Sequence, residues 1–198
     1  MTFLNYSRLS EEVSVFGVVM SEENEFDELK ALEVILYVSS KVEWMYHVGK
    51  IIYFANRYHL EDYGRFVVND EIIAMKNGPV LSSIYDMIKL ARNGKNSYKQ
   101  FKNQDEILHS LLYIKGNSPI ELDRLIPKRP ANLEYLSQSD ITALDCAIEK
   151  IKDLSFTELE AFSHDDLYHT ARLNDEISIE DVIRYSKNPK ELSEYLAG

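Results

Sequence analysis

Apolar residues recur every three or four positions along FDELKALEVILYVSS. Phe26, Leu29, Leu32 or Glu33, Leu36 and Ser40 fall on one face, with Leu32, Ile35, Leu36 and Ser39 continuing the stripe, so this spacing predicts a helix. Ser40-Lys41-Val42-Glu43 then reads as a capping box, in which the serine hydroxyl can accept the N3 amide while Glu43 reaches back. The following run, VEWMYHVGKIIYFANRYHL, is apolar on a broad face through Val48, Ile51, Ile52, Ala55 and Tyr58, which places a second helix centrally and ends it near Gly64.

FVVNDEIIAM, from Phe66 to Met75, reads as two short extended pieces about a tight turn at Asn69-Asp70. Gly78-Pro79 marks a sharp corner, with Pro79 in the first turn of a helix over VLSSIYDMIKLAR that stops at Asn93-Gly94. LLYIKGNSPIEL suits either a hairpin across Lys115 to Pro119 or a short helix opening at Ser118-Pro119. Farther on, Ser137 with Asp140, Ser155 with Glu158, and Asn188-Pro189 with Glu191 each set an N-cap residue ahead of an acid and an apolar periodic run. The expected fold is mainly α, a compact helical domain with one or two short β-hairpins. It divides into an N-terminal extension over 1–25, a helical domain over 26–172 and a C-terminal helical extension over 173–198 packed on that domain.

Composition narrows the function classes. A chain of 198 residues with 45% apolar and 28% charged residues can build a packed core, which excludes disordered and fibrous readings. Acids outnumber bases 33 to 22 and are spread along the chain, and a formal charge of -11 repels polyanions. The short basic clusters Lys95 to Lys102 and Pro127 to Pro130 read as solvated loops, so nucleic acid is not an expected partner. Cys146, the single cysteine, cannot form an internal disulfide and reads as a small buried hydrophobe beside Ala143 and Ala147. The N-terminus lacks a basic start and a sustained apolar run, and no window reaches the roughly 18 apolar residues of a membrane span, so a cytoplasmic location with no membrane partner is expected.

Motifs of familiar chemistry are missing: there is no phosphate-binding glycine loop, dinucleotide fingerprint, nucleophile elbow or HExxH pair. HDDLYH, from His164 to His169, is the best metal candidate, but five residues of separation set its two histidines about 140° apart on a helix. Neither a metal nor a cofactor is expected. In HLEDYGRFVVNDEIIAMKNGPV, His59, Asp62, Arg65 and Asp70 could supply a base, an orienting acid and an anion clamp. Structurally, Arg65 would instead pair with Asp70 or a helix end and fix the loop, with His59 hydrogen-bonded nearby. No nucleophile accompanies them, and the structural use is the expected one.

IIYFANRYHLEDYGRFVVNDEIIAMKNGPVLSSIYD resembles the Panacea domain, the SocA/GepA-like family of antitoxins and phage-associated bacterial proteins. The family's ordered pattern is carried here by Tyr53, Phe54, His59, Tyr63, Gly64, Arg65, Asp70, Ala74, Gly78, Pro79 and Val80. LSQSDITALDCAIEKIKDLSFTELEAFSH is similar to the family's C-terminal helix pair, with its closing element at Leu159, Ser163 and His164. Past that histidine, family members often carry a Trp, where this chain has Tyr168 and His169. The resemblance covers roughly Glu28 to Arg172. It implies an antitoxin that neutralises a cognate toxin by direct protein binding and catalyses no reaction. One branch of the family resembles a proteolysis adaptor that hands its toxin to an ATP-dependent protease. A hydrolase using His59, Arg65 and Asp70 is the remaining alternative. Such a binder needs aromatic and arginine anchors, for which Tyr58, Tyr63, Arg65 and Tyr85 are placed beside the motif.

Overall fold

A computed structural model describes residues 25–94, 100–117 and 122–197. Within them the chain is mainly helical, with two antiparallel two-stranded hairpins. The expected N-terminal extension lies almost wholly outside the described residues, as do part of the Lys95 to Lys102 cluster and the Ser118-Pro119 site.

Helix α1 (Glu28–Ser39) starts where the Asp27 carboxylate accepts the amides of Leu29 and Lys30. It is buried around most of its circumference, from Ala31 to Leu36 and again at Val38 and Ser39, and so forms one of the two central rods. Helix α2 (Met45–Tyr63) is the other. It ends at Gly64, whose left-handed φ of 67° closes the helix with its amide on the Leu60 carbonyl. The expected capping box at Ser40 is not formed. Ser40 follows the end of α1, and Trp44 precedes α2. Glu43 is occupied elsewhere: its carbonyl accepts the Leu125 amide and its carboxylate meets Arg124 at 3.0 Å.

Strands β1 (Ile72–Met75) and β2 (Gly78–Leu81) form a hairpin that turns at Lys76-Asn77, so the turn expected at Asn69-Asp70 lies several residues too early. Nor does Pro79 begin a helix. It sits in β2 opposite Ala74, whose own N–H and C=O bond outward to Asp175 and Asn174. The pair therefore exchanges no hydrogen bonds, and proline's missing N–H costs this ladder nothing. Helix α3 (Ser82–Asn93) follows directly and stops at Gly94, as the spacing predicts.

A short helix, α4 (Gln104–Ser110), leads into β3 (Leu111–Ile114), which pairs with β4 (Arg124–Pro127); a hairpin is formed, but its second strand begins later than a turn across Lys115 to Pro119 would place it. Helices α5 (Gln138–Ile151) and α6 (Phe156–Ser163) both open on complete capping boxes, Ser137 with Asp140 and Ser155 with Glu158. Helix α5 lays Ala143, Leu144, Ala147, Ile148 and Ile151 against the core. Cys146 is exposed, contrary to expectation, because two residues of helix turn it about 200° away from Leu144.

Helices α7 (Ile179–Arg184) and α8 (Pro189–Leu196) complete the chain. Pro189 occupies the first turn of α8, while Asn188 supplies no side-chain cap. The segment before α7 runs beside β1: the Asn174 and Ile177 amides donate to Ala74 and Ile72. Arg129, expected in a solvated loop, instead forks onto Glu33 of α1 at 2.9 and 2.7 Å, which explains how a glutamate tolerates this core position. No helix among the described residues is long and apolar enough to cross a membrane.

Candidate functional site

Three structural centres hold most of the residues singled out by the sequence, while Asp62 lies apart, exposed near the end of α2. The first lies where the end of α2 meets the start of α5. His59 is completely buried, and its Nδ1 lies 2.7 Å from the carbonyl of Arg65, which makes this nitrogen the donor. Burial, foremost, lowers the imidazole pKa below its usual value; the Arg65 carbonyl works against that shift, and the nearby Arg65 charge adds to it. The ring is therefore neutral near pH 7, and Nε2 accepts the Ser139 hydroxyl at 3.0 Å. Ser139 in turn accepts from Ser137, whose oxygen also receives the Arg65 guanidinium and the Asp140 amide.

Asp140 stands at the centre of this network, 1% exposed. Lys30 meets Oδ2 at 3.0 Å, and the Ser137 amide donates to the same oxygen at 2.9 Å. Arg65 approaches Oδ1 at 3.0 Å as a charge contact and the neutral His59 ring lies 3.3 Å from it, although no donor reaches that oxygen with hydrogen-bond geometry. Burial pushes the carboxyl upward, but the Ser137 amide and Lys30 outweigh it and hold Asp140 below the usual carboxylate range. Arg65 thus fixes a helix end, one of its two expected structural uses, and the acid it holds is Asp140. Tyr63 stacks on His59 with ring centres 4.7 Å apart and leaves 46% of its surface exposed. Arg65 and Lys30 also face a cavity of about 280 Å³ beside Gly64.

The second centre is Asp70. Its Oδ1 accepts the amides of Glu71 and Ser83, and its Oδ2 accepts that of Ile84. Helix α3 has no cap from its own preceding residue, so Asp70 satisfies its first amides across the hairpin. The alternative grouping of His59, Arg65 and Asp70 into one acid-base set does not occur: the first two converge on Asp140, while Asp70 serves a different helix. Val68 is held just before it by Asn56, whose side-chain amide both donates to and accepts from the Val68 backbone.

The third centre surrounds Gly78, where φ is 91° and a Cβ would collide with the Ser163 hydroxyl and lie 2.7 Å from Lys50 Nζ. Only glycine satisfies both the backbone and the space. Lys50, 1% exposed on α2, donates to the Pro79 carbonyl at 2.7 Å. Desolvation lowers its pKa to about 7, against a weaker upward pull from Glu160. Val80 lines an apolar cleft of about 190 Å³ between α2, the first hairpin and α3. His164 ends α6, with Nδ1 donating to the Glu160 carbonyl at 2.6 Å and Nε2 lying 3.3 Å from the Lys76 carbonyl.

The aromatic position after His164 is filled by Tyr168, which crosses the His164 ring at 4.2 Å and donates to the Met75 carbonyl. Asp165 caps the Tyr168 amide and meets Arg57 at 2.6 Å. Among the described residues, no group of three histidine, cysteine or acidic side chains is arranged to hold a metal ion.

Sequence reasoning missed Lys50, Asp140 as the counter-ion and Asn56, and it placed Ser163 in the family's closing element without its close approach to Gly78. An N3 aspartate in a capping box was visible, but the box alone does not reveal that the carboxylate faces inward. Lys50 lies on an otherwise apolar stretch of α2, and that is the one local sign that its side chain is enclosed.

A family model described as antitoxin SocA-like, Panacea domain, matches residues 48–167. No curated protein and no solved structure matches the chain. The matched span contains His59, Arg65, Asp70, Gly78, Asp140 and His164, and hence the greater part of all three centres.

Proposed function

Since this chain belongs to the antitoxin SocA-like, Panacea domain family, we propose that it neutralises a cognate toxin by direct protein–protein binding and catalyses no reaction. The family match over most of the domain carries this reading. The site geometry agrees with it: the motif's polar side chains bind one another and the ends of α3 and α5, as struts of a rigid scaffold require. A rigid surface limits the ordering cost of association. The partner is a toxin polypeptide, and the net charge of -11 suits a basic one.

The test is coexpression with the small open reading frame beside the gene. The reading expects that frame to be toxic alone, growth to return with this protein present, and the two chains to purify as one complex. If the toxin instead disappears from cells in a protease-dependent manner, delivery to an ATP-dependent protease replaces blocking. A harmless frame, or one that stays lethal with no complex formed, overturns the reading.

A further inference from the structure

A cleft of about 370 Å³ lies between the end of α2 and helix α8. Tyr63 and Tyr195 contribute two of its walls and are 46% and 70% exposed. Glu61, Asp62 and Glu191 supply negative charge, and among the described residues that line it there is no lysine or arginine. Lys187 reaches Glu61 at 2.9 Å and its charge also acts on Asp62, yet the carboxylates that line the cleft outnumber it. The Tyr195 ring occupies the space that a Cβ on Gly64 would need, so it is seated on the backbone at the end of α2. Leu192, buried beneath, anchors the same helix. An exposed aromatic ring held from below beside an excess of carboxylates attracts a cation through both its face and its neighbours' charge.

We infer that this cleft receives an arginine or lysine side chain from a basic segment of the protein partner, against the rings of Tyr63 and Tyr195. The inference rests on the antitoxin reading for the identity of that partner. It also assigns a division of labour. The Glu61–Gly64 wall lies within the family match, whereas the wall from Ser186 to Tyr195 lies beyond it, so the C-terminal helix tunes which basic segment is accepted.

The test titrates the full-length ¹⁵N-labelled protein with a hexa-arginine peptide. Saturable amide shifts are expected at 61–64 and 186–195. They should weaken about tenfold in the double variant Asp62→Lys/Glu191→Lys but not in Glu134→Lys/Asp153→Lys, which carries the same charge change elsewhere. Shifts scattered over the acidic surface, or equal weakening in both variants, overturn the inference. Neutralisation by the cleft variant that equals wild type overturns its use in docking and leaves the antitoxin reading standing. If the neighbouring frame proves not to be toxic, the antitoxin reading falls, and the peptide titration alone decides for or against a cation site in the cleft.

Discussion

Nη1 of Arg65 lies 3.0 Å from Oδ1 of Asp140, joining a half-exposed guanidinium to a carboxylate that is almost entirely buried. The two ends of this contact differ in what they contribute. Solvent screens the arginine, whereas Asp140 also caps α5 and neutralises Lys30. Asp140→Ala is expected to cost roughly 3–5 kcal/mol, because it breaks a buried charge network and removes half of a capping box. Arg65→Met should cost about 1 kcal/mol. Urea unfolding of both variants and of the double should give less than the sum, since the arginine acts largely through that carboxylate.

Gly78→Ala tests the close approach at the start of β2. A left-handed φ and the collision with Ser163 and Lys50 combine to an expected loss of about 2–3 kcal/mol. Adding Ser163→Ala should recover part of it by removing the hydroxyl. If the double is no more stable than Gly78→Ala alone, backbone strain rather than crowding dominates.

Lys50 gives stability a defined pH dependence. Its folded pKa of about 7 is below the ordinary lysine value of 10.5, so the unfolded chain binds more protons between those limits and stability rises with pH across that window. Below about pH 7 the cost of enclosing the ammonium is fully present. Lys50→Met removes this dependence. Thermal melts should show the variant more stable than wild type by roughly 1–2 kcal/mol at pH 6.5, with the advantage shrinking toward pH 10.

His59 and Asp140 both have depressed pKa values in the folded state. Each therefore contributes stability above its unfolded pKa and loses it as pH falls through the folded value. The histidine acts first, below about pH 6.5, and the aspartate below about pH 4. His59→Gln keeps a donor for the Arg65 carbonyl, so its stability between pH 6.5 and 5 should fall less steeply than that of wild type, as chemical denaturation would show.

Asp70→Ala removes acceptors from the first amides of α3 and should cost about 1–2 kcal/mol. Asp70→Asn retains one acceptor oxygen and should cost less. Hydrogen exchange at Ser83 and Ile84 reads the effect at its source.

What the sequence revealed was local. The boxes at Ser137 and Ser155 and the stops at Gly64 and Gly94 depend on residues within one helical turn, and all four formed. Long-range competition caused the misreadings. Asp70 looked like a turn residue because the amides it caps lie beyond the hairpin, and Glu43 looked like half of a capping box because nothing nearby shows that Arg124 claims it. The motif itself was legible in full, but its partner Asp140 was not, since periodicity says which face is buried and nothing about which charge meets which across two helices.

The bare α-carbon at position 64 makes the C-terminal helix a fitted lid with its own keyhole. A chain trimmed before Tyr185 would keep the histidine, arginine and aspartate interlocked, yet leave a vacant seat on the shoulder of α2. Replacing this tail by another is thus a matter of matching one ring to one missing side chain, with the interior left closed.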